Sequence, residues 1–428
     1  MKMPSIIPCT SSNLASKHSK IYQFINCRLV RKGCIIKDDF WIRDGKILNP
    51  EPVFYDERVQ ADVRIDCHDA LICPGFLDIQ INGGFGYDFS SDVDNLEEAV
   101  SKVSHGVLSA GVTSICPTIV TSPNSVYHQV IPKLVKKAGG LDGASILGIH
   151  LEGPFISPEK KGAHPLQYIQ EVEGIDKIND VYGCLDNVAM VTIAPELPGA
   201  KDVISYLANQ GIVMSVGHSN GNLEDGEAAV NCGASFITHL FNAMLPFHHR
   251  DPGLVGLLTS RLICKPVHYG IIADGIHTHP AALRIAHRTH PEGLVLVTDA
   301  MAAMGLGDGE HQIGQLKVKV EKLTARLVGS NTLAGSVVTM DQCIRHFVKN
   351  VGATLVEGIE AASLHPARVM GIEHLKGTLD FGSDADFLLV SDEGPLKVLH
   401  TFIAGECVYS APDAPQLTST YHKHFSEK

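Results

Sequence analysis

Short apolar runs alternate with segments of helical periodicity from about residue 71 to residue 300. There are eight such runs, among them LICPGFLDIQIN, VTSICPTIV, ASILGIHLEG and LVLVTDAM. Each run is continuously apolar, which is typical of parallel strands buried on both faces. After the first run, Val100, Val103 and Val107 recur at helical spacing and present one apolar face. Eight βα units in succession predict an α/β fold with a closed, TIM-like (β/α)₈ barrel over residues 71–375.

An open, doubly wound sheet is the alternative fold, because it uses the same alternation of strands and helices. Such a sheet typically carries G-x-G-x-x-G directly after its first strand, and this chain does not. The eight units and the missing motif favour the closed barrel.

The two flanks of the barrel have a different pattern. Residues 20–70 and 376–412 contain short alternating strands separated by turn residues such as Lys-Gly and Asp-Gly. Neither flank is long enough to bury a core alone, so we expect the two to combine into one small β-sandwich domain. A β insertion is predicted at residues 311–335, and residues 1–19 predict a flexible N-terminal tail.

Composition indicates a globular protein and limits its partners. Hydrophobic residues make up 44% of the 428 residues, and the formal net charge is −12. This acidic balance argues against binding nucleic acid or an anionic membrane surface, because both require a basic face. No apolar run reaches the ~18 residues of a membrane span. The eleven cysteines are scattered without a C-x-x-C pair, which favours reduced thiols in a cytoplasmic protein.

Side chains suited to catalysis follow four of the predicted strands. Glu152 ends the third strand, His218 and His239 end the fifth and sixth, and Asp299 ends the eighth. The C-terminal ends of all strands in such a barrel face one mouth, where catalytic groups lie. Two imidazoles and one carboxylate are a known metal-ligand set that leaves a position open for water. Asp299 is then the candidate to accept a proton from that water.

Each of these residues also has a structural explanation. A strand-end histidine is often a hydrogen-bonded core residue, Glu152 can cap a helix, and Asp299 can be the N-cap of the next helix. Four such residues on one rim, predicted from independently read strands, favour a catalytic site over four separate structural roles.

A second polar group suggests an anionic ligand. Asn242, the backbone amides around Ala243, and Arg250 lie beyond the sixth strand, and His277 follows the seventh. An arginine and a histidine beside exposed backbone N–H groups suit a phosphate. An ion pair between Arg250 and Asp251 on a solvated loop is the alternative, and the sequence leaves both open.

The order of these motifs resembles that of the N-acetylglucosamine-6-phosphate deacetylases of the amidohydrolase superfamily. The matching stretches span nearly the whole barrel: PGFLDIQINGGFG, GIHLEGPFISPEKKGAHP, VGHS, THLFNAM, PGLVG, IIADGIH, LVTDAM and TLAGS. The flanking DGKI and GSDADFLLV resemble the small β-sandwich of that superfamily. No single stretch would suffice, but together they are specific.

The resemblance implies roles for individual residues. Glu152, His218 and His239 would bind one divalent metal ion per subunit, with zinc expected first and iron, manganese and cobalt as alternatives. Asp299 would be the general acid/base. The implied substrate-binding residues are Ala163, His164, Asn242, Ala243, Arg250, Asp274, His277, Leu333, Ala334 and Gly335.

The implied reaction is hydrolysis of the acetamide of N-acetyl-D-glucosamine 6-phosphate to D-glucosamine 6-phosphate and acetate. The resemblance also implies a homodimer in which the neighbouring subunit supplies phosphate donors. Two other functions stay open: another amidohydrolase, such as a cyclic amidase or a deaminase, and a catalytically inactive sugar-phosphate sensor.

The first strand carries Gln80 and Asn82 where other amidohydrolases usually show H-x-H. This amide pair, in a chain that keeps Glu152, His218 and His239, predicts a site for one metal. We expect Gln80 to hydrogen-bond near the water or the substrate, while a purely structural strand-end amide is the alternative.

Overall fold

Seven strands precede the barrel. The computed structural model describes residues 20–313, 316–329 and 333–421, and the predicted tail at residues 1–19 lies outside this range. The seven strands are β1 (Ile21–Ile25), β2 (Arg28–Arg31), β3 (Cys34–Lys37), β4 (Phe40–Arg43), β5 (Lys46–Ile47), β6 (Val63–Asp66) and β7 (Leu71–Pro74). A short helix, α1 (Pro50–Pro52), continues into a π-helical turn at Val53–Glu57.

Eight parallel strands then form the predicted barrel, in chain order around the circle. They are β8 (Phe76–Ile81), β11 (Val112–Val120), β13 (Ile149–Glu152), β14 (Val188–Ile193), β15 (Val213–Val216), β16 (Phe236–Ile237), β17 (His268–Ile271) and β18 (Leu294–Leu296). Past the end of β18, Asp299 N donates to Gln80 O, and Asn82 N donates to Ala300 O, both at 2.9 Å. These bonds join the last strand to the first, and the (β/α)₈ prediction is confirmed.

Three short strands accompany the barrel. The hairpin of β9 (Gly83–Gly84) and β10 (Tyr87–Asp88) follows β8, and β12 (Ser145–Ile146) pairs with β11. The run LICPGFLDIQIN, which the sequence presents as one strand, is divided at Gly75. A Cβ at Gly75 would lie 2.3 Å from Thr113 Oγ1, so glycine is required where the chain passes from β7 into the barrel.

Helices cover the outside of the barrel. They are α2 (Leu96–Gly106), α3 (Asn124–Val130), α4 (Ile175–Tyr182), α5 (Ala200–Asn209), α6 (Leu223–Asn231), α7 (Pro280–Thr289), α8 (Met340–Val351), α9 (Leu355–Ala362) and α10 (Leu364–Val369). In the apolar face predicted after the first barrel strand, Val103 of α2 is buried and Val100 is half-buried. Val107, at the start of the following 3₁₀ helix, is also buried. Short 3₁₀ helices occupy Val93–Asn95, Val107–Ala110, Pro158–Lys160, Leu166–Tyr168, Gly253–Leu258 and Pro291–Gly293.

The sixth unit departs from the regular pattern. Between β16 and β17, a long loop and the 3₁₀ helix at Gly253–Leu258 stand in place of an α-helix. This loop contains three of the residues predicted to bind phosphate: Asn242, Ala243 and Arg250.

The predicted insertion is a four-stranded antiparallel sheet after β18. Its strands are β19 (Gly309–Ile313), β20 (Leu316–Glu321), β21 (Thr324–Leu327) and β22 (Leu333–Ser336). Met301 N donates to Ser336 O at 2.9 Å, so the end of this sheet is anchored beside the segment that follows Asp299.

The flanks form two packed sheets, as predicted. The C-terminal strands are β23 (Phe387–Ser391), β24 (Lys397–Ile403), β25 (Glu406–Ser410) and β26 (Thr418–Tyr421). One sheet has the order β26-β6-β1-β4-β5, and the other has the order β25-β24-β23-β7-β2-β3. Phe24 and Phe40 of the first sheet pack against Phe387 of the second, with ring centroids 5.2 and 4.9 Å from it. The predicted limits of the sandwich, residues 20–70 and 376–412, stay a prediction.

Among the described residues, no helix combines the length and the apolar character that crossing a membrane requires.

Candidate functional site

Three side chains from separate strands meet at the C-terminal rim of the barrel. Glu152 ends β13, and His218 and His239 each lie two residues beyond β15 and β16. Glu152 Oε1 lies 3.0 Å from Nε2 of each histidine, and the two Nε2 atoms are also 3.0 Å apart. All three side chains are almost fully buried. The structure thus brings together the three candidate ligands that the sequence singled out.

The geometry of this triangle fits a divalent metal. Nδ1 of His218 donates to the carbonyl of Lys160 at 2.8 Å, which leaves Nε2 of the neutral ring as a lone-pair donor facing the triangle. Ligand atoms of a tetrahedral zinc site with bonds of ~2.1 Å lie roughly 3.4 Å apart, close to the separations here. Three converging electron-pair donors at this spacing are best satisfied by a cation between them.

Glu152 sets the charge of the group. Burial alone would raise the pKa of this carboxyl, but the adjacent imidazoles of His218 and His239 outweigh burial and hold the pKa well below its ordinary value. For His239 the directions are reversed: burial alone would lower the pKa of the ring. The Glu152 carboxylate outweighs burial, so the pKa of His239 is raised. Glu152 therefore stays ionised, as a metal ligand must.

Asp299 lies on the same rim, just after β18. Its Oδ1 accepts hydrogen bonds from Asn82 Nδ2 at 2.7 Å and from Gln80 Nε2 at 3.3 Å. Burial, together with the negative charge of Glu152, raises the pKa of Asp299 to about 6. A carboxyl with a pKa near the working pH can both accept and return a proton, as general acid/base catalysis requires.

The amide pair on β8 is oriented by its hydrogen bonds. Gln80 Nε2 also donates to Glu152 Oε1 at 3.1 Å and so joins the two carboxylates. The amide oxygens of Gln80 and Asn82 are buried without a hydrogen-bond partner among the described residues. Buried acceptors normally find a partner, so these two oxygens indicate a place for water or ligand. The expectation that Gln80 contacts the water or the substrate stays a prediction.

The backbone is strained at the residues that carry the chemistry. The φ angle is +47° at His218, +27° at His239 and +45° at Asp299, a region that side chains with a Cβ rarely adopt. Each such residue costs of order 1–3 kcal/mol and persists where the surrounding structure over-determines it, often at functional sites. The strain supports a functional role for this rim.

Asp274 and His277 form a pair after β17. Nδ1 of His277 lies 2.6 Å from Asp274 Oδ2, and Asp274 Oδ1 accepts the backbone N–H of His277 at 2.8 Å. Burial lowers the pKa of His277, but the hydrogen bond and charge of Asp274 reverse that effect and raise it. This shift toward the cationic form suits an anionic ligand.

His164 is buried beside the triangle. Its ring centroid lies 4.5 Å from that of His218, and its Nδ1 lies 2.8 Å from Thr121 Oγ1. Burial, aided by the nearby His218, lowers the pKa of His164 to about 3, so the ring is neutral at physiological pH. Ala163 beside it is exposed. The substrate contacts expected of both residues stay predictions.

The loop after β16 carries the remaining predicted phosphate ligands. Ala243 O accepts from Ser219 N at 3.0 Å, which ties this loop to the segment that follows His218. Asn242 is half-buried and Arg250 is exposed. Asp251 Oδ1 accepts the backbone N–H groups of Leu223 and Gly253, and among the described residues no ion pair joins Asp251 to Arg250. The solvated ion pair considered as an alternative is therefore not formed.

The strand β22 lies near this rim. It begins with Leu333, which is exposed, and continues with Ala334 and Gly335, which are half-buried. A Cβ at Gly335 would lie 3.0 Å from Met301 Cγ, so this residue packs closely against the segment after Asp299. Closure of residues 333–335 over a substrate stays a prediction.

Sequence reasoning missed Glu196. Its Oε2 accepts from Ser219 Oγ at 2.6 Å and its Oε1 accepts from Asn220 N at 2.7 Å, so it anchors the turn that follows His218. The available signal was a carboxylate just after the fourth predicted strand, the same kind of signal that pointed to Glu152. Thr121, the partner of His164, carried no such signal.

Comparison with known proteins agrees with this geometry. The amidohydrolase family model matches residues 71–408. An N-acetylglucosamine-6-phosphate deacetylase of Danio rerio is 54% identical over 402 residues, which cover 93% of this chain and 99% of that protein. A solved structure of the Pasteurella multocida deacetylase has a TM-score of 0.79 and 28% identity, covering 91% of this chain and 100% of the other.

A Mycobacterium smegmatis deacetylase variant, solved in complex with N-acetyl-D-glucosamine-6-phosphate, has a TM-score of 0.75 and 30% identity. It covers 92% of this chain and 100% of the other. The matches extend over the barrel and into the flanking strands, and the matched family is one of metal-dependent hydrolases. The chain belongs to the amidohydrolase family and, within it, to the N-acetylglucosamine-6-phosphate deacetylases.

Proposed function

We propose that this chain hydrolyses the acetamide of N-acetyl-D-glucosamine 6-phosphate to D-glucosamine 6-phosphate and acetate. The proposal is carried by the convergence of Glu152, His218 and His239 on one buried rim that also holds Asp299. The 54% identity to a deacetylase of this specificity supports the choice of substrate.

We propose that Glu152, His218 and His239 hold one divalent ion per subunit. Zinc is the first choice for a Glu-His-His set, and iron, manganese or cobalt can occupy the same ligands. When bound, the ion supplies Lewis acidity toward the amide carbonyl and lowers the pKa of water at the site toward ~7.

Asp299 moves the proton. With a pKa of about 6 it starts as a carboxylate at neutral pH, so it accepts a proton from the attacking water. The water oxygen bonds to the acetyl carbon, the carbon–nitrogen bond breaks, and Asp299 returns the proton to the departing amine. Asn82 and Gln80 hold Asp299 Oδ1 in place during both transfers.

The phosphate is assigned to the loops after β16 and β17. His277, whose pKa is raised by Asp274, and the guanidinium of Arg250 supply donors to it. Asn242, the backbone at Ala243, His164 and Ala163 would contact the sugar, and residues 333–335 would cover it.

We also propose a homodimer, with phosphate donors supplied across the subunit interface. Arg250 is exposed, so in a dimer its guanidinium would serve the phosphate side of the neighbouring rim, while His277 serves the rim of its own subunit. A cytoplasmic location is proposed because the ten described cysteines are all free thiols, as expected in a reducing compartment.

The direct test starts from the purified chain, stripped with a chelator and reloaded with zinc. Acetate and free amine released from N-acetyl-D-glucosamine 6-phosphate are measured together with the metal content. Equal amounts of acetate and amine, dependent on about one zinc per chain, are expected from a three-ligand site. Release of ammonia in place of acetate would indicate a deaminase, no product would indicate a sensor, and two tightly held ions per chain would exclude the single-metal site.

A further inference from the structure

We infer that Asp78 and Thr298 position the general acid/base Asp299, so that they act on turnover and not on substrate or metal binding. This inference rests on the proposed function. It concerns the seam of the barrel, where the segment after β18 meets β8.

One buried carboxyl holds the backbone on both sides of Asp299. Asp78 lies within β8 and is 1% exposed. Its Oδ2 accepts from Thr298 Oγ1 at 2.5 Å, while its Oδ1 accepts from Thr298 N at 3.3 Å and from Gln80 N at 3.4 Å. Thr298 Oγ1 in turn accepts from Ala300 N at 3.3 Å. Asp299 thus sits between two residues fixed by the same pair of side chains.

These side-chain bonds add to the backbone bonds that Asp299 N makes to Gln80 O and Ala300 O accepts from Asn82 N, both at 2.9 Å. The strand β18 ends at Leu296, and Asp299 has a φ of +45°, which a residue with a side chain adopts only under constraint. Without the hydrogen bonds of the Thr298 hydroxyl to Asp78 and Ala300, the backbone at Asp299 would relax toward an ordinary φ. The carboxylate would then turn away from Asn82 and Gln80, which hold its Oδ1.

The composition of the seam is poorly explained by stability alone. A buried carboxyl costs free energy unless it is paired with a cation, and no lysine or arginine among the described residues pairs with Asp78. Burial raises the pKa of Asp78 to about 7, with the hydrogen bonds from Thr298 acting against that rise. Apolar side chains of similar volume would pack here at lower cost, so we attribute the polar pair to positioning of the catalytic group.

The test compares two substitutions at one position. Thr298→Val removes the hydroxyl at nearly constant volume, whereas Thr298→Ser keeps it. Thr113→Val is the matched control, because Thr113 is an equally buried barrel threonine on β11. Among the described residues, its hydroxyl bonds only to Phe76 O, at 3.4 Å. The variants are purified as full chains, loaded with zinc, and assayed for kcat, KM and metal content.

We expect Thr298→Val to lower kcat by about 10- to 100-fold, the effect of a misplacement on the order of 1 Å. Its KM and metal content should stay within about twofold of the wild type, and Thr298→Ser should restore most of kcat. Asp78→Ala should lower kcat in the same way, and Thr113→Val should leave it unchanged.

A kcat for Thr298→Val within about twofold of the wild type would overturn the inference. So would an equal loss in Thr113→Val, a failure of Thr298→Ser to recover, or a loss that appears in KM or metal content. The wild type in the same assay tests the proposed function separately: if it releases no acetate, that function fails, whatever the variants do.

Discussion

The two sides of the barrel rim are built in different ways. On the metal side, Glu152, His218 and His239 are almost fully buried and their ligand atoms lie 3.0 Å apart. On the phosphate side, Arg250 is exposed and His277 is half-buried, on loops beyond β16 and β17. Bond-making chemistry needs groups fixed within a few tenths of an ångström, which buried strand ends provide. A phosphate has several equivalent oxygens, so donors on loops can meet it without the same rigidity.

The largest effect is expected on the metal side. His239→Asn should abolish tight metal binding and lower activity by about 10³-fold or more, because several kcal/mol of charge stabilisation are lost. Metal analysis and acetate release measure both effects. His268→Asn is the control, since His268 begins β17 at the opposite end of the barrel. Normal metal content in His239→Asn would remove this residue from the ligand set.

Asp299→Asn should separate catalysis from binding on the same side. Loss of the proton acceptor is expected to lower kcat by about 10²- to 10⁴-fold, while metal content and substrate affinity are kept. Substrate affinity is measured by calorimetry with the zinc-loaded variant, next to the exposed-site control Asp94→Asn. Near-normal turnover in Asp299→Asn would exclude Asp299 as the general acid/base.

The phosphate side should respond in KM. Arg250→Ala is expected to raise KM for the phosphorylated sugar by about 10- to 100-fold, the equivalent of one charged hydrogen bond. Turnover at saturation should change little, and activity on the unphosphorylated sugar should not change. Arg261→Ala, at another exposed arginine nearby in the chain, serves as the control. If kcat falls and KM does not, the two sides of the rim do not differ as described.

The smallest effect is the dependence on pH. Asp299 must be ionised to accept a proton, and its pKa is raised to about 6, so the inactive protonated form persists to higher pH than for an ordinary aspartate. We therefore expect kcat to fall about tenfold per pH unit as the pH drops below about 6. A profile of kcat against pH from about 3.5 to about 8 measures this fall, since that range spans both the ordinary aspartate pKa and the raised one. An acid limb near the ordinary aspartate pKa would contradict the raised value.

Much of the metal side could be predicted from the sequence because strand ends carry topological information. Parallel barrel strands all end at one rim, so Glu152, His218 and His239 could be grouped although 87 residues separate the first from the last. Glu196, which follows β14, could be predicted on the same ground.

Other features left no pattern in the sequence. The positive φ at His218 and Asp299 follows from tertiary packing, and local propensity alone would favour glycine there. The division of one apolar run into β7 and β8 depends on the close approach of Thr113 to Gly75, which is a contact between distant segments. The orientation of the Gln80 amide likewise depends on two carboxylates that lie far away in the chain.

The division of the rim is tested most directly by a parallel measurement with one zinc-loaded enzyme. Acetate release is compared between N-acetyl-D-glucosamine 6-phosphate and unphosphorylated N-acetyl-D-glucosamine. We expect a kcat/KM at least about 10²-fold higher for the phosphorylated sugar, since charge-assisted contacts to phosphate are worth ~1.5–3 kcal/mol each. Equal values for the two sugars, or a preference for the neutral one, would contradict the assignment of Arg250 and His277 and with it the division of the rim into a metal side and a phosphate side.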